Sequence, residues 1–262
     1  HKETSVLNVD TGGGKSEAYF GLVVFSAFFD RLEGKEIGTT AITKFPLRML
    51  SIQQLQRIAQ VFAWAEEVRK KERIKGTFSV GYLVGDSSDF PNKNYRILNE
   101  VIATTKKGKP LQGKIMEDCP ICKSKKSVFL VADEAECIVK HRCSKCNREY
   151  EFFFCDDEIY RKLPTFVIST VDKMAAVGMQ RKLKNLFGGL IDRCTDGHGY
   201  IPRKDKCKYT LSNKKSCECE GKPVNLSYST APRMIIQDEM HLIREAFGTI
   251  DSHFETFLEV MS

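Results

Sequence analysis

Short apolar runs alternate along the chain with longer stretches of helical periodicity. Val6, Leu7 and Val9 make a first short run, and Glu17 to Phe29 is too rich in large apolar residues for a solvent loop. That stretch predicts a helix buried on most faces. Thr39-Thr40-Ala41-Ile42 predicts a strand, and Phe45 to Leu50 leads into a long helix. From Ser51 to Lys71, Ile52, Leu55, Ile58, Ala59, Phe62, Ala65 and Val68 recur as one core-facing stripe. Phe78 to Val84 alternates and predicts the next strand, Gly85 to Asn94 a loop, and Tyr95 to Thr104 a short helix. Phe166 to Asp172 reads as a strand turning into a helix that carries Met174, Ala175, Val177, Leu183 and Leu186, with Ser169 or Thr170 as its N-cap. Met234-Ile235-Ile236 is a last strand, and Gly248 to Met261 has an amphipathic helical pattern. Strands alternating with helices imply parallel βαβ units, hence an α/β fold with a mostly parallel sheet.

Composition adds the solvent and the partner. With 262 residues, 42% hydrophobic and 29% charged, the chain suits a folded protein of one domain or one domain with an insertion. The formal charge of +7 favours an anionic partner. The longest apolar stretch, Ala18 to Phe29, is too short to span a bilayer, and no export signal is visible. Ten cysteines, partly grouped as Cys-x-x-Cys, argue for metal rather than disulfides and for a reducing cytoplasm.

The chemistry begins at Val9-Asp10-Thr11-Gly12-Gly13-Gly14-Lys15-Ser16, between the first apolar run and the first helix. Strand, glycine loop and helix form the setting of a phosphate-binding loop. Backbone N–H groups of Gly12, Gly13 and Gly14 would turn onto phosphate oxygens at the positive end of the helix. Lys15 would reach the β and γ phosphates of ATP, and Ser16 would ligate Mg²⁺. Val9 stands where the general pattern has glycine. The second motif is Asp238-Glu239-Met240-His241, at the end of the last strand. Asp238 suits Mg²⁺, and Glu239 suits the orientation and deprotonation of an attacking water. Acidic residues at a helix start would produce the same letters.

Cys119, Cys122, Cys143 and Cys146 form two Cys-x-x-Cys knuckles separated by twenty residues, a four-thiolate zinc signature. Val128 to Val131 and Ile138 to His141 supply strands between them, so residues 106–163 read as a zinc-ribbon insertion. Four thiolates close the tetrahedron, which makes the zinc structural. Cys137 and Cys155 fall outside the pattern and read as buried thiols. In the polar, Lys-rich segment 193–222, Cys194, His198, Cys207, Cys217 and Cys219 are enough for a second zinc. Cys194, Cys207, Cys217 and Cys219 are the preferred set, with His198 as the contender. The lysines around both segments suit phosphate or simply a solvated face.

Thr11-Gly12-Gly13-Gly14-Lys15-Ser16-Glu17, Pro46-Leu47-Arg48-Met49-Leu50-Ser51-Ile52-Gln53 and Asp238-Glu239-Met240-His241 appear in the order of a superfamily 2 helicase motor domain, which the chain resembles. Longer phrases around them look like the large helicase of the DISARM antiphage system and its relatives. The resemblance implies a RecA-like P-loop domain over 1–105 and 164–262, interrupted by the zinc ribbon, with 193–222 as a second cysteine-rich loop inside it. It further implies nucleotide contacts from Thr11 to Glu17, and nucleic-acid contacts from Arg48, Gln53 and Thr170. It gives His241 the coupling of the nucleotide and nucleic-acid sites. Leu47 departs from the family's threonine. DNA-stimulated ATP hydrolysis within a defence complex is the implied activity, with DNA favoured over RNA as the track and the sequence itself leaving both open. Neither a Ser-Ala-Thr motif nor the arginine motif of a second RecA-like domain is present. The expectation is therefore a piece of a larger motor that hydrolyses ATP very slowly alone. The competing expectation is a zinc-stabilised nucleic-acid-binding or scaffold module with a vestigial nucleotide site.

Overall fold

The structure, a computed structural model, describes residues 5–6, 14–46, 48–85, 90–175, 181–210 and 215–239. Leu7 to Val9 of the expected first strand, the loop residues Thr11 to Gly13, His241 and the amphipathic segment 248–261 lie outside the described residues.

A central sheet carries the order β11-β1-β7-β2-β6, from Met234–Gln237, Ala41–Phe45, Phe166–Thr170, Val80–Leu83 and Phe152–Phe153. Every neighbouring pair in it is parallel. β1, β7 and β2 are buried along their whole lengths, as expected of strands covered on both faces. β6 comes from within segment 106–163, so that segment contributes an edge strand to the central layer.

Helix α1 (Lys15–Leu32) crosses the sheet and is amphipathic rather than buried on most faces. Tyr19, Phe20, Val23 and Ala27 form its buried stripe, while Leu22, Phe25, Phe29 and Leu32 form an exposed one. The reason is geometric: a helix lying on one sheet has only one face to bury. The helix is tied to β11 near both of its ends. Fully buried Asp30 receives Thr40 Oγ1 at 2.8 Å and the Arg233 guanidinium, with Lys35 Nζ 3.3 Å away. Burial raises the Asp30 carboxyl, but the bonds from Arg233 and Thr40 outweigh it and hold the group below its ordinary value.

Helix α2 (Arg48–Lys71) packs Leu55, Ile58, Ala59 and Phe62 onto the sheet, as its periodicity predicts. Each large side chain so buried is worth about 1.5–3 kcal/mol. Helix α3 (Asn94–Lys106) leads into a three-stranded antiparallel unit of β3 (Val128–Asp133), β4 (Ile138–Cys143) and β5 (Glu149–Tyr150). This unit shares one continuous core with the central sheet, through Ile115, Met116, Val128, Leu130 and Tyr150.

Helix α4 (Asp156–Lys162) follows β6, and helix α5 (Val171–Ala175) follows β7. No side chain of the described residues bonds the Thr170 hydroxyl, so Thr170 does not cap α5 through its side chain. The apolar pair Leu183 and Leu186 sits on a 3₁₀ turn, Arg181–Phe187, rather than on an α-helix. A three-residue spacing places them on one face of such a turn. Described residues of segment 193–222 join an antiparallel unit of β8 (Ile191–Cys194), β9 (Tyr200–Pro202) and β10 (Gly221–Pro223), in the order β10-β8-β9.

Candidate functional site

Parallel strands deliver their carboxyl ends to one rim, and register decides which residues stand there. β1 pairs Lys44 with Gln237 of β11 and with Ser169 of β7, while Phe45 faces Thr170. Asp238, the residue after β11, donates its amide to the Lys44 carbonyl at 3.1 Å. Asp238, Phe45 and Thr170 therefore share the edge at which open α/β sheets present ligand chemistry.

Helix α1 begins at the same rim. Gly14 adopts φ +78 at the N-cap, a left-handed conformation that glycine takes without strain. Among the described residues, a Cβ built there would meet nothing within 4 Å. Lys15 Nζ lies 2.7 Å from Oδ1 of Asp238 and 2.8 Å from Oε1 of Glu239. Tyr19, one turn further along α1, donates its hydroxyl to the other Asp238 oxygen at 3.1 Å. The Asp238 side chain is 4% exposed and Lys15 30%, so the carboxylate is sealed while the ammonium reaches solvent. Burial pulls the Lys15 pKa down, yet the bonds from Asp238 and Glu239 prevail and raise it. Burial, followed by the Asp238 charge, pushes the Tyr19 hydroxyl well above its ordinary value. Tyr19 escaped the sequence reading, although its spacing of four from Lys15 places both on one helix face.

Glu17 is exposed and pairs with Arg57 of α2. Arg48 opens α2, and Gln53 is exposed in its second turn. Thr170 is 4% exposed, its hydroxyl without a bond among the described residues.

Away from the rim, two groups of side chains have metal-ligand geometry among the described residues. In the first, the sulfurs of Cys119, Cys122, Cys143 and Cys146 all lie within 4.8 Å of one another. Cys119 to Cys146 and Cys122 to Cys143 are each 3.7 Å apart. That is far beyond a disulfide bond and close to the edge of about 3.8 Å in a tetrahedron with zinc–sulfur bonds of about 2.3 Å. Both knuckles close in the same way. Lys123 N bonds Cys119 O at 3.0 Å with Lys123 at φ +62, and Asn147 N bonds Cys143 O at 2.9 Å with Asn147 at φ +56. Burial would raise the Cys143 thiol, but bonds from Ser127 and the amides of Cys146 and Lys145 bring it down to about 6, toward the thiolate a metal needs. Lys123 of the first knuckle sits over the Trp64 ring of α2, 5.5 Å from its centroid.

The second group unites Cys194, His198, Cys207 and Cys219, again within 4.8 Å of one another. Cys194 ends β8, and Cys207 and Cys219 face each other across a hairpin, with Cys207 N bonding Cys219 O at 3.1 Å. Gly199, at φ +98, brings the backbone beside His198 against α4. A Cβ there would stand 2.5 Å from the Arg161 carbonyl oxygen. Fully buried Arg161 donates to the His198 carbonyl and lies over the Tyr209 ring at 4.4 Å. Tyr209 stacks in turn on the His198 imidazole, 4.8 Å between centroids. Burial first, then the Arg161 charge, lowers the His198 pKa and favours the neutral ring that can ligate a metal. Cys155 is fully buried and outside both groups, as expected, whereas Cys137 is half-buried against the second.

Fold and site together define a parallel α/β domain with a lysine–carboxylate pair at its carboxyl rim and two cysteine groups suited to zinc. No protein-family model matches the sequence. Over its whole length the chain is 32% identical to part of the DISARM protein DrmA of Bacillus paralicheniformis, in an alignment of 286 positions, which makes it a relative of that protein. The resemblance carried by the glycine-loop and Asp-Glu-Met-His phrases is thereby borne out. The chain spans about a quarter of the length of this curated relative (25%). Among the described residues, no helix is long and apolar enough to cross a membrane.

Proposed function

We propose that the chain is the ATP-binding first motor domain of a superfamily 2 DNA helicase or translocase, acting within a longer protein in antiphage defence in the cytoplasm. The observation that carries this reading is the Lys15 ammonium, held between Asp238 and Glu239 at the start of a helix. A phosphate-binding lysine and an acidic pair are the two charges that nucleotide hydrolysis requires at one rim.

In this reading Gly14 and the amides opening α1 receive phosphate oxygens, with Thr11, Gly12 and Gly13 before them. Lys15 exchanges its carboxylate partners for the β and γ phosphates. Ser16 and Asp238 are the oxygen donors suited to Mg²⁺, which would neutralise phosphate charge when bound. Glu239 orients and deprotonates water, and Tyr19 holds Asp238 in place. Arg48, Gln53 and Thr170 follow the strands of this rim and would meet the nucleic-acid backbone, with His241 linking the two sites. Both cysteine groups take structural zinc. A second RecA-like domain and other defence subunits would complete the motor.

Calorimetry of ATP binding with and without Mg²⁺, on the chain and on Lys15→Ala, tests the reading. Mg²⁺-dependent binding abolished by the substitution is expected. Undiminished binding by the variant, or none by the parent chain, would reject it in favour of a scaffold with a vestigial site.

A further inference from the structure

The second cysteine group holds more donors than one zinc needs. The Sγ atoms of Cys194 and Cys207 lie 3.5 Å from His198 Nδ1, and those of Cys217 and Cys219 lie 3.6 Å from it. In a tetrahedral site with zinc–nitrogen bonds of about 2.0–2.1 Å and zinc–sulfur bonds of about 2.3 Å, the nitrogen–sulfur edge is about 3.5–3.6 Å. The imidazole nitrogen thus occupies a vertex of the tetrahedron, not a position behind it. Five donors crowd a polyhedron with four corners.

We infer that the second centre binds one zinc through His198 Nδ1 and the thiolates of Cys194, Cys207 and Cys219, with Cys217 a spare thiol beside it. This rests on the zinc reading of that group and departs from the all-cysteine set that spacing favoured. Three observations converge on it. The four named atoms lie within 4.8 Å of one another, a group to which Cys217 does not belong. Cys194, His198 and Cys207 are buried, while Cys217 and Cys219 are both partly open to solvent, so burial fixes three donors and the mutual distances choose Cys219 as the fourth. The ring itself is positioned: Tyr209 stacks on its face, and Arg161 covers Tyr209 while holding the His198 carbonyl. A histidine restrained on its face and at its backbone has its ligating direction set before metal arrives. Cys217 belongs to the same hairpin, its amide bonded to the Tyr209 carbonyl at 2.8 Å. That placement explains how a fifth sulfur comes so near the centre without a vertex of its own.

The test is cadmium-113 NMR on the full chain after exchange of zinc for cadmium, since each centre gives one resonance whose position reports how many sulfurs surround the ion. Two resonances are expected, one typical of four thiolates and one of three thiolates with a nitrogen. Scalar coupling of the second to imidazole ring protons should be seen in the unaltered chain. Cys217→Ser should leave both resonances in place. His198→Ala should move the second toward the first as the spare thiol takes the vacated corner. Two four-thiolate resonances, absent coupling to the ring, or a second resonance displaced by Cys217→Ser would overturn the assignment. A single resonance would reject the second metal altogether, a result distinguishable from a wrong ligand set.

Discussion

The Lys15 ammonium stands 2.7 Å from the Asp238 carboxylate, although the two residues belong to opposite ends of the chain. Helix α1 makes the meeting possible by spanning the sheet, with Asp30 and Glu33 gripping Arg233 just before β11 and Lys15 gripping Asp238 just after it. The rim is thus set by two ion-pair ties on a single helix–strand pair.

Lys15→Ala should therefore cost stability as well as nucleotide. Asp238 would be left as a buried carboxylate without its cation, a loss of about 1–3 kcal/mol once the partial exposure of Lys15 is taken into account. Adding Asp238→Asn should recover part of that loss, because the stranded charge disappears. Urea denaturation of the two single variants and the double variant measures the coupling, and strictly additive effects would count against the pair.

Tyr19→Phe removes only the hydroxyl that bonds Asp238. A loss of about 1 kcal/mol in stability is expected. A larger effect should appear in Mg²⁺-dependent nucleotide affinity, since Asp238 loses the group that orients it. Equal affinities in calorimetry would show that Tyr19 is packing alone.

Zinc removal has a built-in reporter. Trp64 is the sole tryptophan of the chain, and Lys123 of the first knuckle lies over its ring. Sites of this kind contribute apparent binding free energies of about 10–16 kcal/mol. Chelation should disorder the unit around β3, β4 and β5 and raise the acrylamide quenching of Trp64, already 46% exposed, by removing Lys123 from its ring. Restored zinc should reverse the change. Quenching insensitive to chelator would separate the knuckle from α2.

Glu158 gives a pH dependence. Burial, reinforced by Asp157 on the same helix, pushes its carboxyl up to about 8, against the Val139 amide, the Asn94 side chain and Arg161. In the unfolded chain the group titrates near 4.5. Between those values the native state keeps a proton that the unfolded state has lost, so stability falls as pH rises through the window. Glu158→Gln mimics the protonated form. It should be more stable than the parent at pH 8–9, by on the order of 1–3 kcal/mol, and nearly equal to it at pH 5. Thermal unfolding across that range provides the comparison, and parallel curves would disprove the assignment.

Much of this architecture was legible in the residues themselves. Period-3.6 and period-2 patterns announce α2, β2, α3 and β7 because a helix stripe and a buried strand leave local signatures. The two knuckles are equally local, since Cys119 to Cys122 and Cys143 to Cys146 each form one tight turn whose ligand spacing does not depend on the rest of the fold. The glycine loop and the Asp-Glu pair were legible as motifs, and the fold brings Lys15 of the one beside Asp238 and Glu239 of the other.

Other features depended on contacts between distant segments. Apolar content made α1 look buried on most faces, but lying on one side of a sheet leaves Leu22, Phe25, Phe29 and Leu32 exposed. Tyr19 became part of the site only because β11 carries Asp238 to the far end of its ring. Spacing left His198 as a contender beside four cysteines, and its place among them depends on Gly199 against Arg161 and on the stack of His198, Tyr209 and Arg161. Periodicity and ligand spacing report forces between near neighbours in the chain. The rim of a parallel sheet and the corner of a metal site are assembled by strand register and packing, and only the folded molecule holds those.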